Sequence, residues 1–218
     1  MEYSYNIKII YSFHTEIGKC NPAELYRIIE NIRPEVIFEE LPINIYQSIY
    51  SGQKPPQTVE SKAVLAYSNN YIVKHFPVDT YNFDLNELFS DYEFIMKHST
   101  EYIKLFNNLI ASVGNLGYDF LNSEKCTSLI SELKSLELKV LTEHSTEDLL
   151  KRYKNENKIH DKRETEMLKN IINYSNNNPF DNAVLICGTD HKLGLINKIN
   201  EYSIESNSQL NWSIYNHI

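Results

Sequence analysis

Four apolar runs in this chain each end on side chains able to bind an ion or move a proton. His14 follows residues 7–13, Glu39 and Glu40 follow residues 36–38, Asp79 follows residues 72–78, and Asp190 and His191 follow residues 183–187 after Gly188 and Thr189. Two histidines and a carboxylate brought together would suit a divalent transition metal with open coordination positions. The same groups could instead hold a water and act as general bases. Successive residues of a strand point to opposite faces, so one of Glu39 and Glu40 is expected at such a site and the other away from it. Gly188 offers room for a tight turn or the close approach of a substrate. Asp79 serves either the site or a turn.

For these groups to meet, the runs have to be strands of one sheet. Residues 7–13 are β-rich and of strand length. Asn21-Pro22 then supplies an N-cap and a first-turn proline, and Leu25, Ile28, Ile29 and Ile32 recur at helical spacing. That helix stops before Arg33-Pro34, a strand follows at 36–38, and Leu41-Pro42 breaks it. Strand, helix, strand in so short a span predicts a βαβ unit with parallel strands. A polar stretch with Gly52 and Pro55-Pro56 leads to a helix over 59–71 and a third strand over 72–78. From Leu85 to about Leu150 the texture changes to the helical period, carried by Leu85, Leu88, Phe89, Tyr92, Ile95 and Met96 and onward to Ile110. After the charge-dense 151–162, a separate helix holds Arg163, Met167, Ile171 and Ile172. Residues 183–187 are continuously apolar, as expected of a strand buried on both faces, and residues 210–215 could add an edge strand.

The expected fold is therefore α/β: one domain over 1–218, with a mixed or mostly parallel sheet flanked by helices and an all-helical insertion at about 84–160. In such open sheets ligands bind beyond the carboxyl ends of the strands, where groups distant in sequence converge.

Composition excludes more than it identifies. The 218 residues include 21 Lys plus Arg against 29 Asp plus Glu, a formal net charge of -8 that repels polyanions and argues against nucleic acid and anionic membranes as partners. No apolar run approaches the ~20 residues of a membrane span, and residues 1–6 lack the basic and apolar regions of a signal peptide, so a cytoplasmic protein is expected. Cys20, Cys126 and Cys187 are an odd number without C-x-x-C spacing and propose neither a disulfide framework nor a thiolate zinc site. His75, His98, His144, His160 and His217 lack the strand-end context and receive no role.

The segments Tyr11-Ser12-Phe13-His14, Arg33 to Leu41, Lys162-Arg163-Glu164, and Val184 to Leu195 stand in an order that resembles the TraB/PrgY group. That group includes the Tiki proteases and, more distantly, ChaN and the erythromycin esterases. The strongest element is Gly188-x-x-His191 followed by Gly194-Leu195. In the group two Gly-x-x-His motifs end strands, a Glu ends another, and an Arg precedes the last motif. By position these become His14, Glu40, Arg163 and His191, and Glu60 and Asp79 fall in a similar Glu-helix-strand-Asp segment. Tyr11 stands where the first motif has glycine, Ser12 where threonine is common, and Lys162 where the group often has Glu.

The resemblance implies a divalent-metal-dependent hydrolase, and more narrowly a peptidase, acting on a peptide or small molecule. His14, Glu40 and His191 would hold manganese, cobalt or zinc. Glu40, Arg163 and His191 would be catalytic, with Asp79, Gly188 and Asp190 toward the substrate. Two alternatives stay open: a metal-free hydrolase of the erythromycin-esterase type, and a non-catalytic protein that binds a small molecule, haem or peptide.

Overall fold

The computed structural model describes residues 5–80, 89–205 and 210–216; Leu85 and Leu88 of the predicted helical stretch lie outside them. The elements run β1 (Tyr5–Ser12), α1 (Pro22–Ile32), β2 (Val36–Pro42), α2 (Ile43–Tyr50), α3 (Val59–Asn70) and β3 (Lys74–Asp79). A helical segment follows: α4 (Tyr92–His98), α5 (Thr100–Leu116), α6 (Tyr118–Leu121), α7 (Glu124–His144) and α8 (Glu147–Asn177). The chain closes with β4 (Asn182–Gly188), a 3-10 turn (Thr189–His191), α9 (Lys192–Glu205) and β5 (Leu210–Ile214).

The strands form one five-stranded sheet in the order β3-β2-β4-β1-β5, and every pairing is parallel. Parallel pairing places all carboxyl ends at one edge. Ser12 stands opposite Gly188, Glu39 opposite Ile186, and Pro42 opposite Asp79 after a register shift in β2. The strand ends that carry His14, Glu40, Asp79 and His191 therefore share that edge, with the end of β4 between those of β1 and β2.

Alternation along the strands feeds two cores. Ile10, Ile37, Val184 and Ile186 pack with Leu25, Ile29, Val59 and Val64 of α1 and α3 on one face. Ile7, Ile9, Phe38, Ala183 and Leu185 pack with Met167, Leu168 and Ile171 of α8 and Leu195 of α9 on the other. Both faces of β4 are covered, which is why its sequence is apolar without alternation. Each such large aliphatic or aromatic side chain, fully buried, contributes ~1.5–3 kcal/mol.

Three local departures from the sequence expectation matter for the site. Pro42 does end β2, but the next residues form α2 rather than an open polar stretch. The charge-dense 151–162 is not a break: it contains no Gly or Pro, and α8 runs unbroken for 31 residues from the Thr146 N-cap. The insertion thus has no boundary near 160; its last helix is also the helix that covers the sheet. Tyr11 is fully buried on the α9 face, with Lys192 Nζ 5.2 Å above its ring.

The insertion is fastened beside the end of β1. Tyr11 N–H donates to Asn122 Oδ1 at 2.8 Å, and Asn122 Nδ2 donates to the Tyr11 carbonyl at 3.2 Å, replacing the ladder where β5 has ended. Lys192, fully buried, donates to the carbonyls of Leu121 and Ser123 at 2.7 and 2.9 Å. Among the described residues no helix is long and apolar enough to cross a membrane.

Candidate functional site

The site is assembled around Gly188, the last residue of β4. A Cβ built on this glycine would stand 3.1 Å from His14 Nε2 and 3.4 Å from Glu40 Oε2. The ends of β1 and β2 thus bring an imidazole and a carboxylate toward one point, and only a glycine between them leaves the space open.

His14 is positioned by α3. Thr58 caps that helix in a reciprocal capping box with Ser61, and Val59 N–H donates to the His14 carbonyl at 3.0 Å. Glu60, in the first turn, meets His14 Nδ1 through Oε1 at 3.2 Å. The hydrogen bond to Glu60 is the main reason the imidazole is pushed up from 6.5 to about 9; burial opposes it, and the charges of Glu60, Glu40 and Asp190 add to it. With 53% of its side chain exposed, His14 remains accessible.

Glu40 sits deeper. Its Oε1 accepts from Arg163 at 2.7 Å and lies 3.1 Å from His191 Nε2, while Oε2 accepts the Gly188 N–H at 2.6 Å. Burial disfavours its charge, but His191, His14 and Arg163 outweigh that and hold the carboxyl well below the usual carboxylate range. Arg163 also grips Asp79 with two prongs, Nε to Oδ1 at 3.1 Å and a terminal nitrogen to Oδ2 at 2.7 Å. The Asp79 side chain is 0% exposed, so this residue positions Arg163 and does not face a substrate. Glu39 points away from Arg163 and His191, as strand alternation requires: its carboxylate accepts from Tyr50 Oη at 2.6 Å, lies 3.1 Å from His75 Nδ1, and forms part of the wall of the cavity beside His14.

His191 is only 1% exposed and lies between two carboxylates, Glu40 at Nε2 and Glu164 at Nδ1, each at 3.1 Å. Burial lowers its proton affinity, yet the charge of Glu40 and the bonds to Glu164 and Glu40 raise it to about 9. A protonated ring donates at both nitrogens, which satisfies both acids.

This donor set does not fit an ion held by His14, Glu40 and His191. A metal needs a free imidazole lone pair on each histidine, whereas both nitrogens of His191 are already engaged by carboxylates and Glu40 already serves Arg163, His191 and the Gly188 N–H.

Two cavities flank this network. One, about 420 Å³, opens beside His14, Glu40 and Glu60 and is walled by Leu41, Ile45 and Ile186. The other, about 460 Å³, is lined by Glu164, His160 and Asp190. Asp190 is exposed on the 3-10 turn and belongs to this second cavity, not to the space between His14 and Glu40.

The structure therefore brings together His14, Glu40, Gly188, His191 and Arg163, holds Asp79 behind Arg163, and sets Asp190 apart. Sequence reasoning gave Glu164 no role, although it follows Arg163 directly; its carboxylate lies against Gly194 and meets His191 Nδ1. It also assigned nothing to His160, whose ring centroid is 4.9 Å from that of His191 and whose Nδ1 is buried without a hydrogen-bond partner. Its signal was its spacing: Tyr153, Glu156, His160, Glu164 and Met167 form one helical stripe through a segment that composition alone marks as surface.

The fold and site define a class: a parallel α/β sheet with a buried ionic network at the carboxyl edge and a histidine–carboxylate pair open to a cavity. Compared with protein-family models, curated protein sequences and solved structures, the chain matches none.

Proposed function

We propose that this protein is a hydrolase of esters or amides that works without a metal ion, with His14 as general base. The observation that supports it is the meeting of His14 Nε2 and Glu40 Oε2 across Gly188, with His14 Nδ1 held by Glu60. A base oriented by a second carboxylate and facing an open space is the arrangement that activates a nucleophile.

In this reading a water lies over Gly188, donating one hydrogen to His14 Nε2 and the other to Glu40 Oε2. His14 takes its proton as the oxygen adds to the substrate carbonyl, forming the tetrahedral oxyanion. The C–O or C–N bond then breaks and the His14 proton passes to the leaving group. Glu40 and His14 are catalytic; Glu60, Arg163, Asp79, Glu164 and His191 position them. The metal-dependent alternative would require His191 to release a carboxylate before it could ligate, which is why the metal-free reading is preferred.

The test is elemental analysis of protein purified without chelators, combined with an ester and amide panel. Turnover insensitive to EDTA and reduced ~100-fold or more by His14→Ala is expected. A stoichiometric divalent ion that disappears in His14→Ala and His191→Ala, or full activity in His14→Ala, would sink the proposal.

A further inference from the structure

We propose that the cavity beside His14 receives an uncharged aliphatic acyl group, so that the substrates are short-chain aliphatic esters or amides and not acyl groups bearing a carboxylate or phosphate. The catalytic use of this pocket rests on the hydrolase reading above; its binding preference does not.

Three features of the cavity carry the inference. Its walls are aliphatic: Leu41 and Pro42 end β2, Ile45 lies in the first turn of α2, and Ile186 lies on β4 two residues before Gly188. An acyl chain laid against Ile186 would thus have its carbonyl at the His14–Glu40 opening. The volume of about 420 Å³ lies in the range of ~300–1,000 Å³ typical of small-molecule sites and suits one compact group. The charge is one-sided: Glu39, Glu40 and Glu60 all line the space, and among the described residues no lysine or arginine does. Glu39 is held as a wall group by Tyr50 and His75, and Arg163 is committed to Asp79 and Glu40. An anionic acyl tail would meet carboxylates at low dielectric with no fixed cation other than His14 to receive it.

A matched pair of probes tests this in the intact protein: hexanamide and the monoamide of adipic acid, equal in chain length and differing by a terminal carboxylate. Binding is read by the methyl signals of Ile45 and Ile186 in isoleucine-labelled protein, so no turnover is needed. Hexanamide is expected to shift both signals saturably, with the adipic monoamide at least tenfold weaker, and Ile45→Trp should abolish the shift of the remaining Ile186 signal. Equal affinity for the two probes, no shift with hexanamide, or an Ile45→Trp variant that binds like the parent would overturn the inference. Saturable hexanamide binding without hydrolysis of 4-nitrophenyl hexanoate would uphold the pocket assignment and remove the hydrolase reading.

Discussion

The carboxylate of Glu164 fills the space into which any side chain at position 194 would project, and its Oε1 stands 3.1 Å from His191 Nδ1. The glycine of the Gly188-x-x-His191-x-x-Gly194 segment is therefore a seat for the carboxylate that orients the histidine. On helix propensity alone Gly194→Ala should stabilise α9 by ~1 kcal/mol. Instead it should destabilise the protein by ~2–4 kcal/mol, because it expels Glu164 and leaves His191 short of a buried partner. Thermal or urea unfolding decides the sign, and a variant as stable as the parent would refute this account of Gly194.

Gly188→Ala makes the contrasting case. Its new methyl would press on His14 and Glu40 Oε2, and His14, half exposed, can swing away. Stability should change by less than ~1.5 kcal/mol while kcat/KM falls at least tenfold. Loss of stability as large as in Gly194→Ala would show that the glycine serves packing and not the open space.

The pH dependence of turnover follows from Glu60. His14 must lose its proton to act as a base, and its folded-state value is about 9. The free-enzyme profile of kcat/KM should accordingly rise with pH and level off above about 9. Glu60→Gln removes the main cause of the upward shift, so the inflection should move down toward the ordinary 6.5. A profile flat from pH 6 to about 9, or one unmoved in Glu60→Gln, would exclude His14 as the base.

Much of this site was legible because strand ends announce themselves. His14, Glu40, Asp79 and His191 each follow an apolar run, and parallel pairing leaves such groups no edge but the same one. What strand endings could not tell is which group touches which. Asp79 reads the same whether it faces a ligand or clamps an arginine 84 positions away; only the approach of α8 to β3 decides. His160 was hidden for a different reason. A segment as charged as 151–162 satisfies a solvated helix equally well, and burial of its inner stripe is set by α7 and the sheet edge, not by its own composition. Helix α2 escaped because Pro42 stops a strand and caps a helix with the same residue.

Arg163 is the structural keystone of the buried acids. Its side chain is 8% exposed, and it joins Glu40 and Asp79, whose carboxylates are otherwise shielded from water. Arg163→Met should cost ~3–5 kcal/mol by leaving Asp79 without its two-pronged cation and Glu40 with His191 alone as its buried cation. Arg163→Lys should recover only part of that, since an ammonium cannot reproduce the two-pronged grip on Asp79. Equal stability of Arg163→Lys and the parent would mean that the fork geometry is immaterial.

His191 makes stability itself depend on pH, with a definite sign. Its folded value of about 9 lies above the ordinary 6.5, so the folded state holds the proton more tightly than the unfolded chain. The stabilisation is then fully present below about 6.5 and is lost as pH rises through about 9. A shift of this size corresponds to ~3 kcal/mol, at a slope of ~1.4 kcal/mol per pH unit for one proton. His14 titrates in the same window but is half exposed, so water screens its share. Urea unfolding at intervals from pH 6 to 10 should therefore show a falling stability, and His191→Gln should remove the larger part of the slope. That variant keeps a donor for one carboxylate but carries no titrating proton, so an unchanged slope would place the proton uptake elsewhere.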